Sequence, residues 1–173
     1  FNAQVNGMKT LRAGFTTVRN VGAESYGDVA LRDAINEGDV PGPRMYVSGP
    51  PVGIVGGHCS DNNLLPSEYH LTGEGVATGP WEFRAKVREN IKYGVDLIKT
   101  CSTGGVFSKG TTLGAQQGTV EELTAIVEEA RANTRQLLIN DDNLASLEDM
   151  VKRTRRAHAA IGGKTDDLLI GVQ

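Results

Sequence analysis

Residues 81–105 read WEFRAKVRENIKYGVDLIKTCSTGG. Phe83, Val87 and Ile91 recur at every fourth position, the spacing that lays one apolar stripe along a helix. Pro80 stands where such a helix starts and Gly94 where it stops, which predicts a helix over residues 81–93. The period then changes: residues 95–100 (VDLIKT) form a short apolar run, as expected of a strand covered on both faces. Ser102, Thr103, Gly104 and Gly105 follow as a loop. Helix, apolar strand and glycine loop in that order is the repeating unit of a parallel sheet.

The same alternation runs outward in both directions. Upstream, residues 15–19 (FTTVR) are β-branched and aromatic and follow Gly14, so they read as a strand. Residues 29–37 read as a helix with Leu31, Ala34 and Ile35 on one side and Gly38 after it. Residues 44–48 (RMYVS) read as a second strand behind Pro41-Gly42-Pro43, and residues 49–79 as one long loop, a length that in a compact domain points to function or to disorder. Downstream, Thr119 and Glu122 have capping-box spacing and open a helix with Leu123, Ile126, Val127 and Ala130 on one face. Residues 137–140 read as a weaker strand, 144–161 as a helix closed by Gly162-Gly163, and 168–172 as a further strand. Strand and helix therefore alternate throughout, and both a β/α barrel and a doubly wound open sheet fit that order.

The chain has 173 residues, enough for one core but short of the roughly 250 that a complete eight-fold barrel needs. Hydrophobic residues are 39% and charged residues 23% of the chain, an ordinary globular balance. The net charge of −3 argues against nucleic acid or an anionic membrane as a partner. No run approaches the roughly 18 apolar residues of a membrane span. Cys59 and Cys101 are too few for a disulfide framework. Both lie beside glycine-rich loops, so a bridge stays open, with reduced thiols as the default. The chain opens at Phe1 without a signal peptide, which reads as a cut inside a longer protein. A cytoplasmic location is then only the default, since a targeting segment would lie upstream.

Lys99 is the most informative single residue. It ends an apolar strand, and a buried ammonium is costly unless it is paired, neutralised or modified. The bland reading is a lysine that snorkels to water. In a barrel, however, the C-terminal strand ends form the active face, which would put Lys99, Cys101, Gly104 and Gly105 at the mouth. His58 follows Gly56-Gly57 in GIVGGHCSD, where paired glycines allow close approach of a ligand; the bland reading is a loop histidine without a task. His70 in a polar loop and His158 on a basic helix face look structural. The chain has no phosphate-binding glycine loop, no CxxC or HxH pair and no nucleophile elbow. Asp141-Asp142 and Asp166-Asp167 read as a helix cap and a turn.

Six collinear segments resemble one family: LRAGFTTVRNVG (11–22), LRDAINEG (31–38), VPGPRMYVSG (40–49), VGGHCSD (55–61), residues 83–108 and GAQQGTVEELTAIVEEAR (114–131). Together they look like the amidohydrolase superfamily, in the branch with imidazolonepropionase-like enzymes and Xaa-Pro dipeptidases. The resemblance implies part of a (β/α)8 TIM barrel and two divalent metal ions, usually zinc. It further implies that Lys99, matching the family lysine, is carboxylated and bridges them as both catalytic residue and metal ligand. A carbamate is an anionic oxygen donor, which suits two nearby dications. A bridging hydroxide would then attack an amide carbonyl. His58 matches a histidine that reaches the substrate, and Gly104 and Gly105 join it as candidate substrate-binding residues.

The departures matter equally. The family's HxH pair would lie before Phe1, and the strand expected to carry a histidine reads QLLIND (136–141). The likeness therefore assigns 1–132 to a partial barrel and 133–173 to a divergent tail, which is faintly similar to the flavin-dependent old yellow enzyme barrels. The expected function is metal-dependent hydrolysis of amide bonds in dipeptides or N-acyl amino acids, with this chain alone inactive and no metal bound to it. The alternatives are a non-catalytic half barrel or scaffold and, on the tail alone, a flavin oxidoreductase. Open strand edges in a partial barrel favour self-association into a homo-oligomer.

Overall fold

The computed structural model describes residues 2–60, 64–133, 136–140 and 168–171. Helix α1 (Asn2–Arg12) leads to strand β1 (Thr17–Arg19), and α2 (Gly27–Glu37) leads to β2 (Arg44–Tyr46). Two short strands follow, β3 (Gly53–Ile54) and β4 (Val76–Ala77), then α3 (Gly79–Lys92) and β5 (Leu97–Cys101). Helix α4 (Val120–Ala132), β6 (Gln136–Asn140) and β7 (Leu168–Gly171) complete the order. The expected helix over 144–161, His158, Gly162-Gly163 and both Asp-Asp pairs lie outside the described residues.

Among the described residues the named strands all pair in parallel: β1 with β2, β3 with β4, β5 with β6 and β6 with β7. Backbone hydrogen bonds join these ladders. Asp96 and Leu97 N–H both donate to Val47 O, at 2.8 and 3.3 Å. After the detour through Gly49 and Pro50, Val52 N–H donates to Lys99 O at 2.8 Å and Cys101 N–H to Val52 O at 3.0 Å. The chain of β2 and its continuation thus lies along β5, and the strands run β1, β2, β5, β6, β7 in sequence order. A doubly wound sheet reverses its order at a switch point, whereas a barrel advances monotonically. Apart from the short β3–β4 pair, the described strands advance monotonically, which selects a partial β/α barrel.

Strand alternation decides what each side chain faces. Ile98 belongs to a core cluster with Val47, Val52, Phe83, Val87, Leu123, Ile126, Val127 and Ala130, so it points at the layer of α3 and α4. The predicted apolar faces of both helices are the ones that pack. Glu129 links the two helices: it accepts from Arg88 Nε at 2.7 Å and pairs with Arg84 at 3.5 Å. The Arg88 hydrogen bonds, helped by the charges of Arg88 and Arg84, hold its carboxyl below the usual range against the opposing effect of burial. The Thr119 capping box is complete, with Glu122 N–H donating to Thr119 Oγ1 and Thr119 N–H to the Glu122 carboxylate.

Several boundaries move, for visible reasons. Strand β1 begins at Thr17 because Gly14, at φ +100°, ends α1 and leaves Phe15 61% exposed. Helix α2 begins at Gly27, two residues early, because buried Asp28 turns back to accept from Ser48, Gly49 and Asn20. Strand β5 starts only at Leu97, since the Asp96 carboxylate instead accepts from Arg32 and Val47 N–H. Helix α1 was not anticipated and buries no residue, while β3 and β4 lie inside the expected loop.

Candidate active site

With Ile98 and Thr100 on one face of β5, Leu97, Lys99 and Cys101 occupy the other, the concave side of a barrel. Lys99 is 2% exposed, so its side chain does not snorkel to water. It is the third of the five residues of β5 rather than its last, because Thr100 and Cys101 carry the strand on beyond it, and the register pairs it with Leu138 of β6. The loops that follow β5 and the β2 continuation, residues 102–118 and 55–60, meet beyond it.

His58 sits in the second of these loops, half-buried. Its backbone N–H donates to Gln117 Oε1 at 2.8 Å, and its Nδ1 lies 2.6 Å from Ser108 Oγ. Ser108 Oγ also donates to the His58 carbonyl at 3.1 Å. The hydroxyl has a single proton, and giving it to the carbonyl makes Oγ the acceptor from Nδ1–H. This hydrogen-bond arrangement corresponds to the tautomer with the proton on Nδ1.

Gly104 and Gly105 are required by sterics. A Cβ on Gly105 would run into the His58 imidazole, and one on Gly104 into the Thr112 carbonyl. Gly104 N–H donates to Ala115 O at 3.0 Å and Gly104 O accepts from Gly114 N–H at 3.2 Å, so both its backbone groups serve the loop itself. Gln117 N–H ties the loop end to Ser102 O at 2.7 Å. The structure therefore brings His58 and Gly105 into contact and places Lys99 below them on β5.

Cys59 and Cys101 are joined as a disulfide, with Cα atoms 6.2 Å apart, where reduced thiols were the default expectation. The bridge ties the His58 loop to the strand of Lys99. Sequence reasoning did not single out Ser108 or Gln117, although both lie in the segments quoted above; only the fold shows that they hold His58. His70 is exposed in a left-handed turn, as a structural loop residue would be.

Among the described residues, the one gathering of three or more His, Cys, Asp or Glu donors close enough for an ion is His58, Cys59 and Cys101. It holds no carboxylate, and its two sulfurs are bonded to each other. The described residues thus do not by themselves fit a two-metal centre: Lys99 is in place, but its expected companions are not among them.

A parallel barrel segment with a buried lysine on the concave face of a strand, two residues before its C-terminal end, fits a β/α-barrel enzyme scaffold. The chain belongs to the amidohydrolase family, whose pattern matches residues 2–162. It is 33% identical over 142 residues to the ochratoxinase of Aspergillus niger, covering 73% of this chain and 29% of that protein. Its fold is similar to a Xaa-Pro dipeptidase with methionine bound in the active site: TM-score 0.79, 30% identity, 95% of this chain and 42% of the other. It is also similar to the crystal structure of the ochratoxinase, with TM-score 0.70, 26% identity and coverage of 89% and 37%. The chain thus spans under a third of the curated relative and less than half of either solved structure. Among the described residues no helix is long and apolar enough to cross a membrane.

Proposed function

We propose that this chain is part of a metal-dependent hydrolase of amide, peptide-like bonds acting on dipeptides or N-acyl amino acids. The observation that carries the reading is Lys99, 2% exposed on the concave face of β5. In the complete protein a carboxylated Lys99 would offer its two carbamate oxygens to two divalent ions, whose other donors are not among the described residues. His58, fixed by Ser108 and Gln117, contacts the substrate at the mouth. Gly105 allows the imidazole to lie against the loop backbone. Relatives described as a Xaa-Pro dipeptidase and an ochratoxinase support small amide substrates over polymers.

The test uses the complete protein, including whatever segments flank these 173 residues. Wild type and Lys99→Ala are assayed against Xaa-Pro dipeptides and N-acyl amino acids, with metal content measured in both. Loss of even an outer metal contact lowers affinity or activity by about 10–100-fold, so losing a bridging ligand should remove at least about 100-fold of kcat/KM and lower the bound metal. Unchanged turnover and metal content in Lys99→Ala would overturn the reading. The 173-residue chain on its own is expected to show no turnover.

A further inference from the structure

We propose that reduction of the Cys59–Cys101 bridge converts His58, Cys59 and Cys101 into a binding site for one thiophilic divalent cation of the zinc and cadmium class. The site does not depend on the role given to Lys99.

Geometry is the first argument. A ring nitrogen of His58 and the two Sγ atoms all lie within 4.8 Å of one another. A tetrahedral zinc with Zn–S of about 2.3 Å and Zn–N of about 2.0–2.1 Å sets its ligand atoms roughly 3.5–3.8 Å apart. Thiols can no longer share a bond and must separate to van der Waals distance, which is close to the spacing that a bound cation needs. The backbone that carries both sulfurs is held by other bonds: Cys101 N–H donates to Val52 O, while Gly57 N–H to Ile54 O and Ser60 N–H to Gly57 O hold the turn that carries Cys59.

The chemistry of the donors is the second. Two thiolates and an imidazole are a soft set that selects zinc or cadmium over magnesium or calcium. The Ser108 hydroxyl already fixes the His58 tautomer, as outer partners of metal-bound histidines do. Three protein ligands leave a fourth position for water or a small anion. Disulfide and metal exclude each other, since the electron pair a thiolate would donate to the cation is tied up in the S–S bond and the bonded sulfurs carry no charge. The oxidation state of the pair therefore decides occupancy.

The reductive step balances with a dithiol as reductant. The dithiol becomes a cyclic disulfide, the Cys59–Cys101 bond breaks, and two electrons and two protons pass to the two Sγ atoms. Cation binding then displaces those two thiol protons.

The probe is Cd2+, titrated into the 173-residue chain before and after treatment with dithiothreitol and desalting, with far-ultraviolet circular dichroism to establish that the reduced chain is folded. We expect a thiolate-to-cadmium charge-transfer band that saturates at one equivalent in the reduced chain and is absent in the oxidised one. Cys59→Ser, at a half-buried loop position, should abolish the band, His58→Ala should weaken the affinity at least tenfold, and Lys99→Met should leave it in place. A folded, reduced chain without the band overturns the proposal, as does a band that survives Cys59→Ser. Stoichiometric Cd2+ without the band would place the cation on other donors; that result also overturns the proposal while leaving the Lys99 reading standing.

Discussion

Reducing the Cys59–Cys101 bridge perturbs the chain without altering its sequence. The two residues are 42 apart. In the chain-entropy account, closing a loop of about 42 residues removes roughly 13 cal/mol/K from the unfolded ensemble, or about 4 kcal/mol at 25 °C. Domain stabilities are about 5–15 kcal/mol, so the reduced chain should be markedly less stable while many core contacts remain. Those contacts include the two Val52 hydrogen bonds to β5, which do not depend on the sulfurs. Urea titrations with and without a dithiol provide the assay. With a slope of about 2 kcal/mol/M, the midpoint should fall by about 2 M. A Cys59→Ala/Cys101→Ala double variant should match the reduced protein to within about 1 kcal/mol, since its unfolded chain is equally unconstrained. Saturating Cd2+ at about 100 times its dissociation constant should restore about 2.7 kcal/mol to the reduced wild type and nothing to the double variant. Coincident midpoints for the oxidised and reduced wild type would refute the argument, because the bridge would then close no loop in the unfolded state.

Other perturbations probe the remaining layers. Gly105→Ala pushes a Cβ into the His58 ring, which can swing away, so the expected loss is about 1–2 kcal/mol, together with a change in the His58 imidazole signals by NMR; Gly104→Ala meets the Thr112 carbonyl instead and should cost more, because backbone must shift. A Gly104→Ala no more costly than Gly105→Ala in urea would contradict this. Ile126→Ala, at 1% exposure, should cost about 2–5 kcal/mol, whereas Trp81→Ala, at 80% exposure, should stay within about 0.5 kcal/mol by the same measurement. For pH, the folded Glu129 carboxyl lies below the ordinary 4.5, so its contribution is complete above 4.5 and is lost as pH falls through the lower folded value. Wild type should therefore lose more stability than Glu129→Gln on acidification below 4.5, and parallel losses in the two proteins would remove Glu129 as the cause.

How far the sequence could be read follows from which features are periodic. Helices α3 and α4 show their buried faces in the spacing of Phe83 and Val87 and of Leu123, Ile126 and Val127, so both were legible. Helix α1 was missed although Val5, Met8 and Leu11 recur at helical spacing: the pattern is short, Gly7 interrupts it, and no residue of the helix is buried. Strands β3 and β4 have two residues each, too few for any period, and Gly75 owes its place to the Pro51 carbonyl against it rather than to a local turn rule. Gly104 and Gly105 were legible as candidate substrate contacts at the mouth, and the groups that approach them here are the chain's own Thr112 carbonyl and His58 ring. Lys99 was legible as an oddity, a cation ending an apolar run. Its company was not, because that depends on register. Shifting β5 by one residue would turn Lys99 and Cys101 toward α3 and α4 and bring Ile98 and Thr100 to the concave face. The hydrogen bonds of Val47 and Val52 to Asp96, Leu97, Lys99 and Cys101 set that register. The same bonds put Cys101 within reach of Cys59, across 42 residues of sequence. Buried lysine, histidine loop and sulfur pair are therefore consequences of a single parallel alignment, and a change that slips it should disturb all three together.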